Sequence, residues 1–542
     1  MRAFFWLFAI ACQPQIEDAP TEDVASRRQI ASGGFHAIGQ DGSRDEGGIV
    51  LALRDDDDTL AIYPFAGGDG CLAGPAAGYS NYGIGYRDGW ILSDGPTRVA
   101  VRDALDETGV GPVRFVDATC ADTLPVVAGD LRAAPLRDFE DGSLVVWTTS
   151  GELLRADPGA GTSDPIASGV TAFAPGWEAP EGGDPTLVLW TIEDGTLVMR
   201  GASGELRLGS GVTEMSIGCP LRYEDNVPFF DGICPTPLAA WVDGAGLHLA
   251  GEAEPVATDA CAPALFPALF EPGSDGETVL APVLAYFSPC ADRTLVLLDL
   301  GTGTTTTHES GVSAVRRLST GDVVYVLGDG PTPRIGTGLV ATPEGSDEIG
   351  TAVVLDSVEA YAAAAPDGAT ATFFLALANF DGSTGDLGLY LPGQPGFAFL
   401  EGVAEYESDG FIAALTDFDG EQGTLQVVDV VTGASTAPGA GPPILEAHGV
   451  RRGDFRWSHS AFALDYLEDF DPAVGAGRLR TWTVPAILQG GGGAGDDVQG
   501  EEGFVVDEGV SEWREIVWPD AGELYVVRGG EREGIWYADW KD

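Results

Sequence analysis

Leu377-Ala378-Asn379-Phe380-Asp381-Gly382, with Gly385 and Leu387 behind it, returns 38 residues later as Leu415-Thr416-Asp417-Phe418-Asp419-Gly420 with Gly423 and Leu425. A looser third copy runs from Glu468-Asp469-Phe470-Asp471 through Gly477 to Leu479. Each copy is a short apolar run, a polar turn with glycine, and a second apolar run. Glycine supplies the positive φ that a tight turn needs, and Asp bonds its own backbone there, so the pattern predicts a hairpin.

Working outward, the same unit recurs along the chain with other residues. Leu144-Val145-Val146-Trp147 turns at Ser150-Gly151 into Leu153-Leu154, and Leu187-Val188-Leu189-Trp190 turns at Asp194-Gly195 into Leu197-Val198-Met199. Leu238-Ala239-Ala240-Trp241 turns at Gly244-Ala245-Gly246 into Leu247-His248-Leu249, which puts the tryptophans at matching places. Further hairpins are expected near Val50 to Tyr63, Trp90 to Val101, Val283 to Leu298, Val323 to Val326 and Leu524 to Trp536. About eleven such units, roughly 40 to 60 residues apart, have the period of β-propeller blades. Eleven exceeds the usual range of about four to eight blades in one ring. The expected architecture is therefore all-β, with two packed propellers dividing near Gly301 to Val312. Residues 31–305 would form the first and 306–542 the second; the alternative is one enlarged ring of seven or eight irregular blades.

Four stretches extend the pattern. Ala365-Pro366-Asp367-Gly368, Ser408-Asp409-Gly410-Phe411-Ile412-Ala413, Phe455-Arg456-Trp457-Ser458 and Val517-Trp518-Pro519-Asp520-Ala521-Gly522 share one incomplete motif. It resembles the Trp-Ser-Pro-Asp-Gly turn of TolB-type, WD-repeat-like β-propellers, best over Ala362 to Trp540. The resemblance implies blades and a binding platform, and it names no ligand.

Composition sets the outer bounds. The 542 residues are 44% hydrophobic, with 77 glycines and 35 prolines, which suits many short strands and turns. Acidic residues outnumber basic ones 84 to 28, for a formal net charge of −56, and Lys541 is the single lysine. A nucleic acid would be repelled over a Debye length of roughly 8 Å, and no basic stripe reverses this locally. The charge reads as solubility in a salty or cation-rich medium.

At the amino terminus, Met1-Arg2 precedes the apolar run Ala3 to Ala11 and then Cys12. That run is shorter than the roughly 20 residues of a membrane span and suits the core of an export signal. Ala9-Ile10-Ala11-Cys12 resembles a bacterial lipobox. The resemblance implies a signal peptide over residues 1–11, a lipid on Cys12, and anchoring to the periplasmic face or cell surface of a Gram-negative envelope. Ordinary cleavage after Ala9-Ile10-Ala11 is the competing reading. Residues 12–30 are expected to be a flexible tether, and 489–503, with four consecutive glycines, a disordered loop.

Six cysteines remain, and export makes disulfides the natural reading. Nearest-neighbour loops favour Cys71 with Cys120, Cys219 with Cys234, and Cys261 with Cys290. No Cys-x-x-Cys or Cys/His cluster suggests zinc, and His36, His248, His308, His448 and His459 lack ligand spacing. No hydrolase elbow, phosphate-binding loop or dinucleotide fingerprint stands out, so no cofactor is expected. Calcium is the one ion with a candidate set. Asn379, Asp381 and Asp386, or Asp417, Asp419 and Glu421, place oxygens on short loops, although a turn bonded by its own Asp explains the same residues. Asp55 to Asp58 reads as a solvated turn. The leading functional reading is a non-enzymatic binding or scaffold lipoprotein whose partner is a protein or an envelope glycan. A propeller glycan hydrolase or lyase, with carboxylates converging at the channel, is the alternative.

Overall fold

In the computed structural model, residues 27–539 are described, apart from 42–47, 76–97, 103–112, 121–135, 138–142, 179–185, 231–237, 271–278, 365–369, 391–396, 432–438, 485–503, 517–521 and gaps of at most four residues. The described residues form strands, with two 3₁₀ turns at Leu355–Ser357 and Gly530–Arg532. Eight blades are sheets of their own, and their strands run in chain order from centre to rim.

The first blade is β2 (Phe35–Asp41), β3 (Ile49–Arg54), β4 (Thr59–Pro64) and β5 (Cys71–Pro75). A hairpin, β6 (Arg98–Arg102) with β7 (Val113–Asp117), stands between it and the second blade. That blade is β8 (Leu136–Arg137), β9 (Leu144–Trp147), β10 (Leu153–Asp157) and β11 (Thr162–Ala167). The third is β12 (Val170–Glu178), β13 (Thr186–Glu193), β14 (Thr196–Gly201) and β15 (Gly204–Ser210). The fourth has three strands, β16 (Glu214–Ile217), β19 (Ala239–Asp243) and β20 (Gly246–Leu249), and carries the hairpin β17 (Leu221–Glu224) with β18 (Val227–Phe230).

The fifth blade is β21 (Cys261–Phe266), β24 (Val283–Phe287), β25 (Leu295–Asp299) and β26 (Thr305–Thr307), with the hairpin β22 (Leu269–Phe270) and β23 (Val279–Leu280). The sixth is β27 (Val312–Arg317), β28 (Val323–Leu327), β29 (Ile335–Thr342) and β30 (Gly345–Val354). The seventh is β31 (Glu359–Ala364), β32 (Thr370–Ala378), β33 (Gly385–Tyr390) and β34 (Phe397–Val403). The eighth is β35 (Glu405–Ser408), β36 (Ile412–Thr416), β37 (Gln422–Val428) and β40 (Leu445–Arg451), with the hairpin β38 (Val430–Val431) and β39 (Gly439–Ala440).

A seven-stranded sheet closes the ring, in the order β1 (Arg27–Ser32), β46 (Gly534–Asp539), β45 (Gly522–Val527), β44 (Phe504–Ile516), β43 (Ala476–Thr483), β42 (Ala463–Asp471) and β41 (Phe455–Trp457). It is two blade units joined through β44. The first half of that strand pairs with β43 and the second half, from Val510 on, with β45. The amino-terminal β1 is its outer strand, antiparallel to the carboxy-terminal β46, so the two ends of the folded chain fasten each other.

The core is a succession of apolar layers between neighbouring sheets. Val188, Trp190 and Ile192 meet Ala239 and Trp241, and Leu375, Leu387 and Leu389 meet Ile412 and Ala414. Leu524, Val526 and Ile535 of the closing sheet meet Val50 and Ala52 of the first blade. Burying each such side chain contributes roughly 1.5–3 kcal/mol. Second strands are the most buried, as in β36 and β45, because both of their faces are covered. Rim strands such as β15 are largely exposed.

The ring is single. Leu295 and Leu297 of the fifth blade pack on Val312, Val323 and Tyr325 of the sixth, straight across the expected boundary between residues 305 and 306. The two-propeller expectation thus gives way to the enlarged ring. It failed because the usual blade range was treated as a limit on one ring; of the hairpins counted, that near Trp90 to Val101 stands between blades, and the last two share one sheet through β44. Likewise Arg27 to Ile30, expected as the end of the tether, are strand. The hairpin expected near Trp90 to Val101 instead pairs β6 with β7, residues 90–97 lying outside the described part.

Candidate functional site

Antiparallel order fixes which ends of the strands share a face of the ring. Connections from first to second strand and from third to fourth lie on one face; those from second to third, and from the fourth strand to the next blade, lie on the other, where the β6–β7 hairpin arises. The hairpins β17–β18, β22–β23 and β38–β39 all arise from connections of the first kind; residues 485–503 lie outside the described part. Of the four Trp-Ser-Pro-Asp-Gly-like stretches, Ser408 to Ala413 runs from β35 into β36 and Phe455 to Ser458 covers β41 and the residue after it; Ala365 to Gly368 and Trp518 to Ala521 lie outside the described residues. The β22–β23 arm is held at its base by Arg317, whose guanidinium donates to the carbonyl oxygens of Pro267 (2.6 Å) and Ala281 (2.9 Å). Burial lowers that guanidinium to about 10.

The opposite face carries the tight turns. Asn379, Asp417 and Asp469 occupy one position in three successive turns, with φ of 50°, 49° and 50°, a conformation that Asn and Asp tolerate. Asp381 Oδ1 accepts from the N–H groups of Ser383 and Thr384, and Asp419 Oδ1 from those of Glu421 and Gln422. These bonds hold both carboxyl groups below the usual range. Asn379 Nδ2 donates to Asp386. The carboxyl groups of Asp381, Asp386 and Asp419 therefore already accept hydrogen bonds, and Asn379 Oδ1 accepts from Thr351. Among the described residues no group of three or more His, Cys, Asp or Glu side chains is arranged to hold a metal ion. In the Asp55 to Asp58 turn, Asp57 Oδ1 accepts from the N–H of Thr59.

Around the centre, carboxylates of the first strands stitch neighbouring blades together. Glu214 accepts from the N–H of Ala262 (2.6 Å), Glu405 from that of Gly453 (2.7 Å) and Glu407 from that of Trp457 (2.9 Å). Glu359 accepts from Ser408 Oγ (2.6 Å). The first three bonds each satisfy a backbone donor of the next blade, and the fourth a side-chain hydroxyl. These acids are thus committed to holding the ring.

The histidines are likewise placed with local partners. His248 lies 2.9 Å from Asp243 and stacks on Trp241; His36 lies 3.3 Å from Asp55 and His448 3.4 Å from Glu446. His459 lies outside the described residues. His308 Nδ1 is 3.1 Å from the carbonyl oxygen of Gly345 and 3.2 Å from Ser346 Oγ, and Nε2 is 3.1 Å from Thr306 Oγ1. A contact with a carbonyl oxygen requires the proton on Nδ1, so the ring cannot serve as a base toward Ser346. The Ser346 hydroxyl instead donates to Glu309, as does that of Tyr325. This is a closed polar network, and burial keeps the imidazole below its ordinary pKa.

One group of acids does converge. Asp465 on β42, Glu515 on β44 and Glu523 on β45 meet where the two units of the closing sheet pack together. Asp465 is 2% exposed and Glu523 fully buried. Thr481 Oγ1 donates to Asp465, and Ser458 Oγ donates to Glu515 at 2.5 Å. Neither oxygen of Glu523 meets a donor among the described residues; the polar group it contacts is the Asp465 carboxyl. Two carboxyl groups in such contact require a proton between them. Burial, and then the charge of Glu515, push Asp465 up to about 7; burial with both neighbouring acids pushes Glu523 well above its usual range. Sequence reading missed this trio, although a charged residue inside the apolar run Gly522 to Val527 was a usable signal.

A hollow of about 350 Å³ lies on the seam between the closing sheet and the first blade, lined by Gly33, Gly34, Arg54, Asp55, Tyr63 and Leu72. Its charges are paired: Arg54 with Asp56 at 2.6 Å, and Asp55 with Arg528 at 3.6 Å. Two of the expected disulfides are present, Cys71–Cys120 and Cys261–Cys290. Cys219 and Cys234 lie outside the described residues, as does Cys12. Disulfides of this kind belong to an oxidising compartment, as in exported proteins. No helix among the described residues is long and apolar enough to cross a membrane.

No family model and no curated protein sequence matches the chain. Solved structures to which it is similar include dihydro-heme d1 dehydrogenase NirN in complex with DHE, at 12% identity over 71% of this chain and 70% of that one, with a TM-score of 0.27. The tricorn protease is similar at 11% identity over 91% of this chain and 44% of that one, with a TM-score of 0.23. A Dos1 propeller is similar at 9% identity over 82% and 90%, with a TM-score of 0.25. At these scores the likenesses carry no argument, and the propeller fold rests on the sheets themselves. The chain spans less than half of the tricorn protease.

Proposed function

We propose that this protein is an exported binding platform, tethered to a Gram-negative cell envelope through a lipid on Cys12, that holds a protein or envelope-glycan partner on its elaborated face. The observation that carries the reading is the crowding of one face: three of the four inserted hairpins, β17–β18, β22–β23 and β38–β39, rise there, while the other face carries the tight turns and the hairpin β6–β7. A rigid ring that gathers most of its inserted hairpins on one side has the form of a scaffold with variable contact loops. The disulfides agree with export, and the sequence before β1 supplies the lipobox-like cysteine.

Two experiments test this. Cys12→Ala should move the protein from the membrane fraction to the soluble one and abolish labelling by a radioactive fatty acid; continued membrane association would remove the tether. The full-length protein should co-sediment with isolated cell-wall sacculi or with envelope proteins, and lose that binding when β22–β23 is replaced by a short Gly-Ser turn. Binding that ignores the hairpins would remove the platform. The rival reading, a glycan hydrolase or lyase, draws on Asp465, Glu515 and Glu523. Release of sugar from sacculi that stops in Asp465→Asn would establish it, but burial of Asp465 and Glu523 favours the platform.

A further inference from the structure

The closing sheet holds the two ends of the chain together, and its two units are packed through the acid trio. Asp465 belongs to the second strand of one unit, Glu523 to the second strand of the next, and Glu515 stands opposite Glu523 on the strand that joins them. Fully buried and without a donor, Glu523 is stable there only as a neutral acid donating to Asp465. We propose that the Asp465–Glu523 carboxyl pair is a proton-operated latch: it holds the last two units of the ring together in acidic to neutral medium and loosens them as the medium turns alkaline.

The surrounding charges agree. Arg456 stands opposite Asp465 on β41, yet the charge that acts on Asp465 is the like charge of Glu515. On β43, Thr481 is the neutral neighbour of Asp465, and Arg480 is paired with Glu468. Arg514 on β44 stands opposite Leu524, not Glu523. On β46, Ala538 faces Glu523, with the acid Asp539 beside it. No described cation neutralises Glu523, so loss of the shared proton leaves buried like charges in contact.

The sign follows. Both carboxyl groups are raised above their unfolded values, so the folded state holds protons that the unfolded chain has lost. Stability is then greatest below the usual carboxylate range and falls as pH rises toward about 7 for Asp465, and further for Glu523. Ordinary surface carboxylates are ionised by roughly pH 5, so a change between pH 5 and 9 does not come from them.

The test is hydrogen exchange on the full chain from pH 5 to 9, corrected for the intrinsic pH dependence of exchange. Protection of peptides covering 463–467 and 522–527 should fall at least tenfold, while 284–287 and 323–327 stay level. Glu523→Gln, whose amide donates to Asp465 but cannot ionise, should flatten the profile, and Asp465→Asn should do so independently. If either variant fails to fold, the other and the wild-type profile still decide. A level wild-type profile, an equal fall in all four segments, or a fall that persists in a folded variant would each overturn the latch.

Discussion

Replacing Ile30 by alanine should open the ring at one seam. Ile30 sits at the irregularity of β1, where the pairing with β46 shifts between Gln29 and Ala31, and it is buried among Phe35, Leu524, Val526 and Ile535. The substitution removes three carbons, about 2.4 kcal/mol of transfer free energy at roughly 0.8 kcal/mol per carbon. The cavity adds to this, within an overall range of about 2–5 kcal/mol. A central cost of about 3 kcal/mol is roughly a hundredfold in an opening equilibrium. Hydrogen exchange should therefore show about a hundredfold loss of protection in 27–32 and 534–539. Blades on the far side, at 284–287 and 323–327, should keep theirs. Unchanged protection in β1 and β46 would refute the idea that β1 closes the ring, and an equal loss in the far blades would show that the ring opens as one unit.

Three further outcomes are expected. Serine at Cys261 and Cys290 frees a loop with a sequence separation of 29 residues, and the chain-entropy relation gives a loss of about 3–4 kcal/mol, read as a lower denaturation midpoint; an unchanged midpoint would contradict it. Asp419→Ala leaves the N–H groups of Glu421 and Gln422 without their acceptor and should lower the denaturation midpoint slightly, while a chelator should leave the wild-type midpoint in place. A chelator-sensitive midpoint would mean that the loop holds a cation. His308 is kept neutral by burial, so its contribution is present above the unfolded value of roughly 6.5 and is lost as pH falls below it. Melting measured from pH 8 to 5 should therefore show a smaller acid-side loss in His308→Gln than in the wild type, and parallel curves would count against the buried imidazole.

Hairpins were legible because their causes are local. Asp194-Gly195 both take positive φ, and Asn379, Asp417 and Asp469 repeat one turn. The pairing of Cys71 with Cys120 and of Cys261 with Cys290 was also legible, since short loops close at the least entropic cost. Ring closure was not. Arg27-Arg28-Gln29 reads as a polar leader because what makes it a strand is distant in sequence: β46 and the Tyr537 ring at the other end, and the Phe65 ring of the first blade, over both of which Arg28 sits. Nor does a pattern reveal that β44 belongs to two units, since its change of partner at Val510 depends on tertiary packing. The acid trio stayed hidden for a related reason. In a strand covered on both sides, alternation no longer separates inside from outside, so Glu523 looks like any outward-facing acid.

The pairing of β1 with β46 also sets an order of events during biogenesis. β1 is made long before β46 and must wait unpartnered for it, so a chain that stops short of β46 cannot finish that blade. A truncated product would leave the edges of β1 and β45 bare, a ready template for aggregation and an easy mark for proteolysis. Completion of the circle thereby acts as a length check on the newly made polypeptide.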